Sequence, residues 1–153
     1  MKDRIMRFVA TGGYVGLSPV MPGTFGTLWG VLLVYLGRGW GWHLHGVLIL
    51  TAVVLGVFVS GAVVKASQKE DPQEIVIDEA AGFLVSFFLI PFNAFNLILA
   101  FLIFRFFDIL KPYPISAVDR GVKGGLGVVL DDLLAGVWAN ILLRVILGII
   151  EWA

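Results

Sequence analysis

The chain contains no cysteine, only two histidines and few charged residues. The absence of cysteine excludes disulfide scaffolds, thiolate zinc sites, iron–sulfur clusters and cysteine-nucleophile phosphatases. Charged residues make up 14% of the chain, whereas ordinary soluble domains have about 25%. Eleven basic and eleven acidic residues balance, so no basic excess favours nucleic acid as a partner.

Apolar residues are abundant and are arranged in long runs without formal charge. They make up 59% of the 153 residues, so a small soluble domain would lack the polar side chains to cover its surface. The chain is therefore predicted to form a single all-α membrane domain over residues 1–153, a small polytopic helical bundle. Its oligomeric state is left open. The uncharged runs cover residues 8–37, 39–64 and 80–104, and residues 133–150 carry only Arg144.

Two of these runs predict membrane-spanning helices, which need about 20 mainly apolar residues. Residues 44–64 meet this length. Residues 133–150 are near its lower limit, and Arg144 is expected either to snorkel to the interface or to pair inside the bundle. The first run is broken by glycine and proline, and only residues 27–36 have a strong helical pattern. The helix is predicted to start before them, in the Pro22-Gly23-Thr24 turn.

The run at 80–104 contains Pro91-Phe92-Asn93 near its middle, and two interpretations compete. One is a single kinked spanning helix, and the other is a short or re-entrant helical hairpin over residues 80–107. The hairpin is favoured because it places three groups of basic residues on one cytoplasmic face, as the positive-inside rule expects. These residues are Lys2, Arg4, Arg7, Lys65, Lys69, Arg105, Lys111, Arg120 and Lys123.

Acidic residues collect beside the apolar runs. Asp78 and Glu79 open the third run, where a plain interpretation is a favourable charge at a helix N-terminus. Ionisable groups at a membrane boundary are also candidates for function. Glu70, Asp71 and Glu74, by contrast, are interpreted as solvated loop charges.

Arg105, Asp108 and Lys111 are spaced three residues apart, which on a helix makes successive members neighbours. Pro112 predicts that this helix ends near Lys111. The three side chains are expected to form a polar ridge. The ridge is either a salt-bridge ladder or a metal-binding carboxylate flanked by two cations for an anionic substrate.

Asp131 and Asp132 follow a glycine-rich segment, interpreted as a loop, in which Gly124, Gly125 and Gly127 permit close backbone approach. The two aspartates stand between aliphatic residues. Adjacent carboxylates in apolar surroundings are costly unless a cation neutralises them. Capping of the last helix would explain one aspartate but not two, so metal binding is favoured.

The donor set predicts the metal and the class of chemistry. Carboxylates without cysteine and with hardly any histidine indicate Mg²⁺ rather than Zn²⁺. Carboxylates together with Lys and Arg around Mg²⁺ are typical of phosphate chemistry. In a small membrane protein, the substrate expected from this chemistry is a phospholipid head group.

Four segments, in order along the chain, closely resemble the phosphatidylglycerophosphatase A family: SPVMPGTFGT (18–27), IDEAAG (77–82), FRFFDILKPYPI (104–115) and GVVLDDLLAG (127–136). The resemblance implies Mg²⁺-dependent removal of the terminal phosphate of phosphatidylglycerophosphate. The product would be phosphatidylglycerol, in the bacterial inner membrane. The basic residues that the hairpin keeps on one face predict that the active site faces the cytoplasm.

Carried over position by position, the resemblance implies a set of site residues. The expected catalytic residues are Asp78, Asp108, Asp131, Asp132 and Lys111. The expected metal ligands are Glu79, Asp108, Asp131 and Asp132. The expected substrate contacts are Arg105, Lys111, Thr24 and Gly23.

Elimination also favours a metal-activated water as the nucleophile, with one carboxylate as base. A thiol-phosphate intermediate needs cysteine, the two histidines lack arginine partners, and the Asp-x-Asp pattern of aspartyl-phosphate phosphatases is absent. An aspartyl-phosphate on Asp108 or Asp132 stays open.

Two other functions stay open. A lipid-head-group transferase would also use aspartate and Mg²⁺, but its usual aspartate spacing is absent. A non-enzymatic ion-binding transporter or membrane assembly factor would spread its carboxylates along the spans, whereas here they cluster at segment ends.

Overall fold

The computed structural model describes residues 2–69 and 72–152, so Glu70 and Asp71 lie outside the described residues. The described residues form seven α-helices, a short 3₁₀ turn at Val15–Leu17 and no strand, which confirms the predicted all-α membrane bundle. The helices are α1 (Lys2–Ala10), α2 (Pro22–Leu36), α3 (Trp42–Ser67), α4 (Ile77–Ser86), α5 (Ala94–Leu110), α6 (Ile115–Gly121) and α7 (Gly124–Trp152).

The helix boundaries confirm most of the sequence predictions. α2 begins at Pro22, inside the predicted turn, and α3 and α7 contain the two predicted spans. Residues 80–104 belong to two helices separated by residues 87–93, as the hairpin interpretation required. The predicted loop at residues 124–127 is wrong, because these residues form the first turn of α7.

The short helix α4 lies at the centre of the fold. It packs against α7, α2 and α3, while α7 also packs against α3, α5 and α6. Phe83 of α4 is fully buried in the main hydrophobic core, together with Phe104 of α5 and Leu143 of α7. Since aromatic and aliphatic side chains from three helices share this core, α4 is fixed on several sides.

Two glycines let α4 and α7 approach closely. A Cβ atom at Gly136 would lie 2.3 Å from the carbonyl oxygen of Gly82, and a Cβ atom at Gly82 would lie 2.6 Å from that of Asp132. Small residues of this kind are typical of helix contacts in membranes, where close van der Waals packing replaces the hydrophobic driving force. The same contact sets the position of Asp132 relative to α4.

The turn after α4 is capped by two side chains of α7. Asn140 Nδ2 donates to the carbonyl oxygens of Ser86 and Phe88, both at 2.9 Å, and Arg144 Nη2 donates to Phe88 O at 2.9 Å. Backbone carbonyls in an apolar environment need partners, because lipid offers none. Arg144 also donates to Asn140 Oδ1 at 2.7 Å, and since its side chain is exposed, it pairs at the surface of the bundle rather than inside it.

The helices α3 and α7 are long and apolar enough to cross a membrane. They have 26 and 29 residues, but only 22% of the most apolar 18-residue window of each is buried. Large apolar side chains such as Leu50 and Phe58 on α3 and Ile141 and Val145 on α7 point outward. A soluble core helix would be enclosed instead, so these faces indicate membrane association.

We expect Gly136→Ala to destabilise the protein by about 1–3 kcal/mol, because the added methyl group would overlap the α4 backbone. The melting temperature in detergent measures this. Gly148→Ala, on the same helix, is the matched control, because its Cβ would have no heavy atom within 4 Å. A Gly136→Ala protein that melts as high as Gly148→Ala would contradict the close contact.

Candidate active site

Charged side chains from three helices and one loop meet at one end of the bundle, beside the first turn of α2. They line a cleft of about 460 Å³. Because the start of α4 and the end of α5 both reach this cleft, the two helices run antiparallel, as a hairpin requires. The lining includes Asp78, Glu79, Arg105, Asp108, Lys111, Asp131 and Asp132, together with Gly23 and Thr24.

Three carboxylates form the closest group in the cleft. Oxygen atoms of Asp78, Glu79 and Asp132 all lie within 4.8 Å of one another. Asp78 and Asp132 are buried, and Asp78 Oδ1 accepts a hydrogen bond from the Glu79 amide at 3.0 Å. Asp78 therefore also serves the helix N-terminus, the plain role considered for it.

This group fits a divalent metal ion. Glu79 Oε2 is buried and accepts no hydrogen bond from any residue in the described ranges. Carboxylate oxygens are the preferred ligands of hard cations, and three carboxylates at this separation repel one another until a cation neutralises them. Asp108 and Asp131, the other predicted ligands, each bond a basic side chain. Their binding of the metal stays a prediction.

The start of α2 lies directly against the acidic group. A Cβ atom at Gly23 would lie 2.4 Å from Glu79 Oε1 and 3.1 Å from Arg105 Nη1. Arg105 Nη1 also donates to Thr27 Oγ1 at 3.4 Å and bonds the Asp108 carboxylate. Glycine at position 23 thus makes room for a carboxylate and a guanidinium side by side.

Lys111 leaves the ridge that the three-residue spacing predicted. α5 ends at Leu110, as Pro112 indicated, and Lys111 follows with a left-handed backbone of φ 43°. Its ammonium bonds the carboxylates of Asp119 and Asp131, both at 2.5 Å, and not that of Asp108. Only the Arg105–Asp108 pair of the predicted ridge is formed.

The pair of carboxylates keeps Lys111 charged. Burial by itself would lower the pKa of Lys111, but hydrogen bonds to Asp119 and Asp131 outweigh it and raise the pKa above its ordinary value. The same bond to Lys111 lowers the pKa of Asp119. A permanent positive charge thus stands at the edge of the acidic group.

Asp131 and Asp132 lie well inside α7 rather than at its start. The helix begins at Gly124, seven residues before Asp131, so the capping interpretation is wrong. Both side chains are buried, at 5% and 4% exposure. Buried carboxylates in a helix interior need a cation, and Lys111 supplies one for Asp131.

Among the residues that sequence reasoning missed, Asp119 and Thr27 bond basic side chains of this site. Asp119 lies on α6, and nothing in the sequence around this single acidic residue indicates that it belongs to a site. Thr27 is fully buried, and its hydroxyl donates to Gly23 O at 2.9 Å while it accepts from Arg105. A polar residue facing an arginine 78 positions away cannot be recognised from spacing.

Comparisons with known proteins identify the family. The family model described as phosphatidylglycerophosphatase A matches residues 8–147. Phosphatidylglycerophosphatase A of Escherichia coli (strain K12) is 36% identical over 130 residues, which are 84% of this chain and 76% of that protein. The protein of the same name in Haemophilus influenzae (strain Rd) is 35% identical over 138 residues, 89% of this chain and 85% of that protein.

A third relative carries a different name. The "Putative phosphatidylinositol-3-phosphatase" of Bacteroides thetaiotaomicron is 33% identical over 145 residues, which are 90% of both chains. No solved structure matches the chain significantly.

The two candidate membrane spans indicate membrane association, and the matched family and its relatives make the protein a phosphatase. The chain belongs to the phosphatidylglycerophosphatase A family. Membership of an enzyme family weighs against the non-enzymatic transporter considered from the sequence.

We expect Asp132→Asn to lower kcat for phosphate release by at least about a hundredfold, as removal of one well-placed electrostatic group does. The metal-free protein should keep or gain melting temperature, because one charge leaves a repulsive group. Glu151→Gln, an exposed position near the end of the same helix, is the control. Wild-type kcat in Asp132→Asn would remove this carboxylate from the active site.

Proposed function

We propose that the protein hydrolyses phosphatidylglycerophosphate to phosphatidylglycerol and inorganic phosphate with the help of Mg²⁺. The observation that carries this proposal is the cleft itself, in which a close carboxylate group shares the lining with Arg105 and Lys111. Two relatives have names that state this activity. The membrane-associated fold supports a lipid as the substrate.

The name of the Bacteroides relative supports the same substrate class. Phosphatidylglycerophosphate and phosphatidylinositol 3-phosphate are both anionic lipids with a terminal phosphomonoester and a phosphodiester to diacylglycerol. In both, three carbon atoms separate the two phosphates: the glycerol carbons in one, and inositol carbons 1 to 3 in the other. We therefore infer that the substrate of this chain carries a phosphomonoester and a phosphodiester separated by three carbon atoms.

The charges of the cleft require additional cations for such a substrate. Five carboxylates and two basic side chains give a formal charge of −3, which would repel a phosphomonoester dianion. We propose Mg²⁺ as the metal, held by Asp78, Glu79 and Asp132, because the donors are hard oxygen atoms. When bound, Mg²⁺ would neutralise charge on the phosphoryl oxygens and activate a water molecule.

The side chains of the cleft have separate roles in this proposal. Arg105, oriented by Asp108 and Thr27, presents donors that match two phosphate oxygens. Lys111 stabilises the charge that develops on the transferred group. A carboxylate accepts the proton of the attacking water as the bond from phosphorus to the glycerol oxygen breaks. That oxygen takes up a proton and leaves as the hydroxyl of phosphatidylglycerol.

We also propose that the single domain lies in the bacterial inner membrane with this cleft facing the cytoplasm. The end of α3, which carries Lys65, packs against the start of α7, as the backbone contact between Gly61 and Gly125 shows. The basic residues near the cleft and those at the end of α3 thus share one end of the bundle, which supports the cytoplasmic orientation.

Metal removal tests the cofactor. We expect a chelator to abolish phosphate release from phosphatidylglycerophosphate, and added Mg²⁺ to restore it and to raise the melting temperature. Asp132→Asn should lose the Mg²⁺-dependent thermal shift, whereas Glu151→Gln should keep it. Full turnover by the chelated enzyme would contradict the metal-dependent mechanism.

Two substitutions of Lys111 distinguish the effect of its positive charge from the effect of its side-chain shape. We expect Lys111→Ala to lower kcat/KM by about 10²–10³, the range for loss of one placed electrostatic group. Lys111→Arg preserves the charge facing Asp119 and Asp131, so its melting temperature should stay near wild type, but a planar fork should restore little activity. Unchanged kcat/KM with a lower melting temperature would reduce Lys111 to a structural ion-pair partner.

A further inference from the structure

A second cavity opens beside the reaction cleft, where α6 meets the start of α7. Its volume is about 300 Å³. Val128 and Asp131 line both the cavity and the cleft, so they form a shared wall. A ligand seated in one space therefore lies next to a ligand seated in the other.

The second cavity differs from the cleft in charge. It is lined by the carboxylates of Asp119 and Asp131 and by two basic residues, Arg120 and Lys123. Lys111 already bonds both carboxylates at 2.5 Å. The two basic and two acidic residues that line this cavity balance, whereas the cleft, whose lining includes Lys111, carries an excess of three negative charges.

A cavity without an excess of negative charge suits an anion that keeps its charge without a metal. A phosphodiester has one negative charge, and Arg and Lys side chains are its usual partners in proteins. Arg120 is exposed and forms no ion pair with the residues that the structure describes. Lys123 is exposed as well, and its charge acts on Asp119.

We propose that this cavity, with Arg120 and Lys123, is a phosphodiester subsite that binds the bridging phosphate of the lipid while the terminal phosphomonoester occupies the cleft. The inference rests on the proposed function, because it assigns the second phosphate of the same substrate. It explains how one site can select lipids in which three carbon atoms separate the two phosphates. Lipids whose only phosphate is a monoester would leave the subsite empty.

The test compares two lipids in mixed detergent micelles with saturating Mg²⁺. Phosphatidylglycerophosphate carries both phosphates, and phosphatidic acid carries the monoester alone. Phosphate release is measured for wild type, Arg120→Gln, Lys123→Gln and the double variant. Lys65→Gln is the matched control. Lys65 is an exposed charge at the same end of the bundle, and it lines neither the cleft nor the second cavity.

We expect the double variant to lose about tenfold to a hundredfold in kcat/KM for phosphatidylglycerophosphate, with phosphatidic acid changed by less than about threefold. The wild-type preference between the two lipids should fall accordingly. Phosphatidylglycerol, which keeps the diester but lacks the monoester, should inhibit the double variant more weakly than wild type. Lys65→Gln should leave the preference unchanged.

The outcomes separate this inference from the proposed function. A double variant that keeps the wild-type preference, or that loses activity on both lipids equally, would overturn the subsite. A wild-type enzyme that hydrolyses both lipids equally well would overturn it too, but would leave the phosphatase function intact. Failure of the wild-type enzyme to hydrolyse phosphatidylglycerophosphate would instead refute the proposed function. Melting temperatures of all variants exclude unfolding as the cause.

Discussion

The contact between Gly82 and the backbone of Asp132 is the constraint on which both the bundle and its site depend. Gly82 follows Asp78 and Glu79 by one helical turn, so this contact places the Asp132 carboxylate beside theirs. A larger side chain at Gly82 would separate α4 from α7 and the carboxylates with them. The close approach concentrates negative charge, which a bound cation would offset, and packing and electrostatics are therefore coupled at one point.

The polar groups are divided between the two ends of the bundle. At one end, carboxylates and basic residues form the cleft, and Lys111 and Arg105 each bond acidic partners. At the other, Trp40 and Trp42 are exposed between α2 and α3. Tryptophan favours the membrane–water interface, so a bundle with charges at one end and tryptophan at the other suits an orientation across a bilayer. A lipid phosphatase needs such an orientation, because its substrate presents only the head group.

Much of the fold could be predicted from local patterns. The uncharged runs predicted the positions of the spanning helices. Pro91, together with the positions of the basic residues, indicated a hairpin rather than a single helix. The prediction failed where packing overrides propensity: the glycines at 124–127 are helical because Gly125 lies against the backbone of Gly61 on α3. That error moved the expected helix start toward Asp131 and allowed a capping role that the structure excludes.

The sequence alone determined most of the residues of the site, but not Asp119 or Thr27, because carboxylates bordered by apolar runs are costly and stand out without any structure. It also indicated which end of the bundle carries them. Only the tertiary structure decided the partners. The left-handed residue after α5 turns Lys111 away from Asp108, and the packing of α6 on α7 brings Asp119 to its ammonium. Side-chain partners distant in sequence follow from helix packing, and no local spacing encodes that geometry.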